Sequence, residues 1–157
     1  MSSTEKTCRW SVLTYSAKKP GRFLECRQVL EGLIAARAAA RITDDQRVEL
    51  RSIGEAMKTA VADGELVTYS GLNGRFHALV AEISGQQTAA DLIGRLRSQI
   101  VRHQFRLAMR PGRPQVSLPQ HLAIIDALAS GDADRAELAA REHIASVISA
   151  LTSGTAS

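Results

Sequence analysis

Apolar residues recur three or four positions apart along most of this chain, the spacing that puts them on one face of an α-helix. Phe23, Val29, Leu30, Leu33 and Ile34 open the pattern, and an alanine-rich stretch carries it to Ala40. Thr43-Asp44-Asp45-Gln46 has the form of a capping box: the threonine hydroxyl can accept from the backbone three residues on, and the glutamine can reach back. It predicts a second helix bearing Leu50, Ile53, Met57 and Val61 and stopping at Asp63-Gly64. A third runs from about Leu66 to Ile83 and breaks at Ser84-Gly85-Gln86. A fourth runs from about Thr88 to Met109, with Leu92, Leu96, Ile100 and Phe105 on one side and Arg95, Arg97, Arg102 and Arg106 among them. Pro111-Gly112-Arg113-Pro114 reads as a loop. Ser117 then caps a fifth helix, with Pro119 tolerated in its first turn and an end near Ser130-Gly131, and Asp132 caps a sixth.

No segment after residue 21 alternates with strand period, and most loops are short. The pattern therefore predicts an all-α fold, an antiparallel bundle of about six helices over residues 22–151. Residues 1–21 are polar and aperiodic and read as an extended or loosely ordered arm, too short to hold a winged helix-turn-helix. Residues 152–157 read as a small, polar, flexible tail.

Composition narrows this only a little. A length of 157 residues suits one domain with a single core. Aromatics at 4% disfavour a sandwich or barrel. The net charge of +4 is spread over many segments and mixed with acids, so it reads as a solvated helical surface rather than a nucleic-acid footprint. Cys8 and Cys26 form no CxxC pair and fit a reduced, cytoplasmic compartment. The N-terminus has no continuous apolar region, and no apolar run approaches the ~18 residues of a membrane span.

The chemistry lies in the histidines. His121 precedes Gly131 by ten residues and His143 follows Asp132 by eleven, so in an antiparallel hairpin they should sit side by side. Each lies on or beside an apolar face, where ring nitrogens need partners. Asn73 and His77, in "LNGRFH", are four residues apart and face the same way. Together these make an interior set of three nitrogens and one oxygen: Asn73, His77, His121 and His143. Such a set suits zinc, nickel, copper or iron. Position alone leaves a second reading open, in which the histidines are satisfied core residues of a metal-free interaction module. His103, among Arg102, Gln104 and Arg106, lacks the symmetric placement and stays outside the set. A metal-dependent hydrolase is a further alternative, although no acid at helical spacing offers a general base.

Residues of roughly 22 to 150 resemble the FCD domain, the C-terminal effector-binding domain of FadR-subfamily GntR transcription regulators. The likeness rests on "ECRQVLEGLIAARAAARIT", with Glu25, Arg27, Leu30 and Glu31; on "LNGRFHALVAEISGQ"; and on "LPQHLAIIDALASGDADRAELAAREHI". The resemblance implies a helical bundle that holds a divalent metal through Asn73, His77, His121 and His143. The metal is expected to be zinc, with nickel or manganese as variants. It also implies a small organic-acid or sugar-acid effector in the same cavity, a cytoplasmic homodimer, and regulation rather than catalysis. Arg102 is a candidate anchor for the effector carboxylate, or else a surface arginine. Asn73 stands where many members have Asp, so the site lacks one negative charge, and Gly74 beside it weakens the helix by about 1 kcal/mol relative to Ala. With the DNA-binding half absent from this chain, no direct operator binding is expected of it.

Overall fold

The computed structural model describes residues 20–153. Among them are six α-helices: α1 (Pro20–Arg41), α2 (Asp44–Ala62), α3 (Leu66–Ser84), α4 (Gln87–Ala108), α5 (Arg113–Ser130) and α6 (Ala133–Ser153). The expected arm lies outside the described residues, except that Pro20 and Gly21 already belong to α1. The helix expected to end at 151 runs on to Ser153, and residues 154–157 are not described. No described helix is long and apolar enough to cross a membrane.

Local signals account for most of the boundaries. Thr43 Oγ1 accepts from the Gln46 amide at 3.3 Å, and Gln46 Oε1 accepts from the Thr43 amide at 3.0 Å. That pairing satisfies two donors that a helix start leaves open. Asp132 Oδ1 accepts from the Arg135 amide at 3.0 Å and opens α6. Between α5 and α6 the chain turns on Gly131, whose φ of 73° is a left-handed conformation that costs glycine nothing.

One boundary differs from the sequence expectation. The fifth helix begins at Arg113, not after Ser117. Pro114 falls in its first turn, where a missing N–H removes no hydrogen bond and the fixed φ suits a helix. Ser117 is no cap: its hydroxyl donates to the Arg113 carbonyl at 3.1 Å, and Pro119 lies within the helix.

The central helix is α1, which packs most extensively on α6 and also meets α3, α4 and α5, while α2 lies against α3 and α5. Small residues let α1 and α6 approach closely. Ala35, Ala38, Ala39, Ala136 and Ala140 are all buried, and a Cβ on Gly32 would meet Arg141 Cγ at 3.0 Å. The apolar core has two parts. The larger includes Ile34, Leu50, Met57, Phe76, Ile93, Ile124 and Leu128. The smaller consists of Leu24, Ile100, Leu107, Val147 and Leu151.

The buried face of α4 is Ile93, Ile100 and Leu107, seven residues apart, whereas Leu92 and Phe105 are exposed. On α1, Leu24 and Ile34 are buried while Val29 and Leu33 face outward. Both differences have one cause. The inward stripes of these helices carry polar residues, Arg97 and Gln104 on α4 and Arg27 and Glu31 on α1, so hydrophobicity alone misplaces the stripe.

Candidate metal centre

Three helices deliver the histidines to one point. His121 of α5 and His143 of α6 have ring centroids 4.4 Å apart, the juxtaposition that their spacing about the turn predicts. His77 of α3 lies 5.5 Å from His121 and 5.8 Å from His143, centroid to centroid. One ligand nitrogen from each falls within 4.8 Å of the others. Phe76 packs edge-on against His77 and His121, at 5.0 and 5.4 Å, and closes the apolar side.

The outer contacts decide which nitrogen each ring can offer. His77 Nδ1 is 3.2 Å from Glu31 Oε2, and a carboxylate only accepts, so Nδ1 carries the proton and Nε2 keeps its lone pair. His143 Nδ1 lies 2.9 Å from Gln120 Oε1, with the same consequence. His121 Nδ1 is 2.9 Å from the Tyr69 hydroxyl, while its Nε2 is buried without a partner. All three rings thus have Nδ1 engaged, the arrangement by which outer partners orient metal-binding imidazoles. Asn73, one turn before His77, has its Oδ1 buried with no hydrogen bond. Two unpartnered polar atoms of this kind are costly in a folded interior; with the Tyr69 hydroxyl accepting from Nδ1, His121 Nε2 keeps its lone pair, and a divalent cation would satisfy both atoms. The donor set therefore fits a metal. Gly74 does not interrupt α3, and a Cβ there would meet nothing within 4 Å.

Charge states are consistent with this. Burial lowers the His77 pKa, against the pull of Glu31. Burial, then the neighbouring histidines, hold His121 well below its usual range, and burial pushes His143 down to about 3. At neutral pH all three rings are therefore neutral, the form that binds metal. Burial opposes the charge of Glu31, but His77, Arg27 and Arg97 hold its carboxyl well below the ordinary value. Burial raises Tyr69 to about 12, so its hydroxyl stays protonated.

A cavity of about 290 Å³ opens beside the triad, near the small end for ligand pockets. Asn73, the three histidines, Tyr69 and Ser117 line part of it, and Arg27, Arg97 and Arg113 bring positive charge. A second, more apolar space of about 200 Å³ lies across His77 and His143, lined in part by Glu31, Ile34, Ile93 and Arg97.

Arg102 lines neither space and is exposed. Two positions after the buried Ile100 it lies roughly 200° around the helix, pointing away. Arg97, three positions before Ile100, shares the inward face. The arginine that sequence reasoning passed over is Arg113: it sits in the first turn of α5, a turn taken for loop. A signal was available. Tyr69, Asn73 and His77 on α3, and Arg113, Ser117 and His121 on α5, are two ladders of residues four apart, each leading to a histidine.

A family model described as the FCD domain matches residues 22–146. The chain belongs to the FCD domain family. Its relatives include the HTH-type transcriptional repressor RspR of Escherichia coli, 31% identical over 118 residues, covering 75% of this chain and 52% of the repressor. The putative L-lactate dehydrogenase operon regulatory protein of Escherichia coli is 30% identical over 128 residues, covering 79% of this chain and 48% of its own. The repressor NanR of Cronobacter sakazakii is 27% identical over 133 residues, covering 80% and 48%. The FCD domain thus spans about half the length of the curated relatives it matches. The fold is also that of E. coli McbR/YncC, with a TM-score of 0.76 at 18% identity over 85% of this chain and 64% of the other. The match supports a ligand-sensing regulatory domain, and the relatives it spans are named as transcriptional regulators.

Proposed function

We propose that this FCD domain binds a divalent metal through Asn73, His77, His121 and His143 and senses a small carboxylate held beside it. The observation that carries the reading is the convergence of three neutral imidazoles, each fixed through Nδ1, on a point where His121 Nε2 and Asn73 Oδ1 lack partners. Nitrogen-rich sites favour zinc among the common metals, with nickel or manganese as alternatives. A bound cation supplies an electrophilic position for a carboxylate oxygen, and the arginines of the cavity offer the complementary charge. Organic acids and sugar acids of a few carbons fit about 290 Å³. In a cytoplasmic homodimeric regulator, the acid would favour one arrangement of the helices over another and so shift the affinity of a separate DNA-binding segment.

The test is thermal denaturation with a panel of small carboxylic acids, with and without chelator. An acid at a hundred times its Kd should stabilise metal-loaded protein by about 2.7 kcal/mol, or roughly 5–10 °C for a domain of this size. It should do nothing after chelation. A panel that leaves the metal-loaded protein unmoved would sink the sensing reading.

Asn73 sets the strength of the metal site. Asn73→Asp adds a negative charge in the cavity wall beside the triad and should tighten metal binding on the order of tenfold, about 1.4 kcal/mol. Competition against a fluorescent chelator measures it. Equal or weaker affinity would remove Asn73 from the ligand set.

A further inference from the structure

The charges around the cavity do not balance. Arg27, Arg97 and Arg113 contribute to its wall, and among the described residues the one acidic side chain lining either space is Glu31. Glu31 is already shared: Oε1 accepts from Arg27 Nε at 2.7 Å and from Arg97 Nη2 at 3.2 Å, while Oε2 faces His77. Nothing acidic in that wall is left for Arg113. Its side chain is nine-tenths buried, Nη1 donates to Ser146 Oγ at 3.2 Å, and Nη2 is buried with no partner. A buried guanidinium with a free donor and no counter-charge calls for an anion.

The position of Arg113 gives the reach. Ser146 is three residues beyond His143 on α6, a rise of about 4.5 Å. The Arg113 guanidinium is thus held against α6 about one turn beyond His143, and it lines the same cavity as the triad. A divalent metal at the triad would add two further positive charges, and a single carboxylate would offset only one of them.

We infer that the ligand of this cavity carries two anionic groups separated by a short carbon chain, one for the metal centre and the other for Arg113. Small dicarboxylates are then preferred over monocarboxylates, with Arg113 as the residue that sets the preference. This rests on the metal-and-carboxylate reading above, and the experiment separates the two.

Metal-loaded protein is titrated calorimetrically with malonate, succinate and glutarate, each against its own half-amide. A half-amide keeps one carboxylate and nearly the same shape but loses the second charge. At least one diacid should bind ten times or more tighter than its half-amide. In Arg113→Gln that ratio should fall to near one while half-amide binding changes less than about twofold, and Arg113→Lys, which keeps the charge without the fork, should fall between. Circular dichroism and the melting temperature of both variants report that they fold, and the lysine variant carries the test if the glutamine variant does not. Half-amides that bind as well as the diacids overturn the inference and leave the carboxylate sensor standing. A diacid preference that survives in a folded Arg113 variant overturns the role of Arg113. Failure of every acid, charged once or twice, overturns the underlying reading as well.

Discussion

Protein carrying His121→Ala and His143→Ala together is expected to purify without stoichiometric metal, while the wild type, prepared without nickel resin or chelator, retains a divalent ion. The two rings are the closest pair of the triad, 4.4 Å between centroids, and one has a buried Nε2 that no protein group satisfies. Removing both leaves His77 and Asn73, too few donors for a stable site. With free metal at a hundred times Kd, the wild type should gain about 2.7 kcal/mol, roughly 5–10 °C in melting temperature, and the double variant nothing. The metal-free proteins provide the contrast. Without metal the wild type bears the cost of an orphaned imidazole nitrogen, so the double variant should lose less than an ordinary double truncation of buried side chains, and its defect should appear mainly when metal is added. Metal analysis by mass spectrometry, paired with melting curves, reads both effects. Undiminished metal in the double variant would falsify the assignment.

Acid should destabilise the metal-free protein by about 3 kcal/mol between pH 7.5 and pH 5.5. The sign follows from the depressed pKa values of His77, His121 and His143. Below the ordinary value near 6.5 the unfolded chain takes up protons that the folded interior refuses, so stability is full above that value and falls with pH towards the folded values. At pH 5.5, about a unit below the ordinary histidine value, each of the three buried rings, His77 included, contributes a loss on the order of 1 kcal/mol. For a domain of this size that corresponds to a fall of roughly 6–12 °C in melting temperature. Chemical denaturation of chelated protein at a series of pH values measures it, with His121→Gln/His143→Gln as the control whose profile should be much shallower, since only His77 remains to resist protonation. Glu31, held well below its ordinary range, gives its own loss only in stronger acid. A flat profile in the chelated wild type would mean that the rings are not buried neutral.

Several features of this site were legible in the sequence because they depend on local rules. The meeting of His121 and His143 follows from counting out from a glycine turn, and the Asn73–His77 pair from helical periodicity. The Thr43 capping box and the Gly131 stop are equally local. The misreadings came where a local signal had two meanings. Pro-Gly-Arg-Pro marks a loop, yet proline also suits the first turn of a helix, and that ambiguity hid Arg113. On α4 the sequence pattern set Leu92, Leu96, Ile100 and Phe105 on one side, whereas the buried stripe is Ile93, Ile100 and Leu107, which turns Arg102 outward and Arg97 inward. The partners of the rings are tertiary. Tyr69 meets His121 across 52 positions, and Gln120 meets His143 across 23. Only packing brings these together, although the four-residue ladders on α3 and α5 point towards the cavity.

The two-part core has a consequence for how the domain holds together. Leu24, Ile100, Leu107, Val147 and Leu151 form a cluster of their own, apart from the main core, and Leu107 and Val147 also wall the cavity. Arg27 and Glu31 on α1, Arg97 on α4 and His143 on α6 occupy the next turns of the same helices, with His77 and His121 brought in from α3 and α5. The N-terminal turns of α1 and the C-terminal ends of α4 and α6 are therefore joined to the rest through a layer of charges and an open space, not through continuous apolar contact. Such an end is expected to open as a separate cooperative unit at less than the global free energy, which native-state hydrogen exchange would read. A metal and an acid filling that layer would bind the two units into one, so occupancy would be felt as a change in folding cooperativity at one end of the bundle, even where the mean positions of the helices scarcely move.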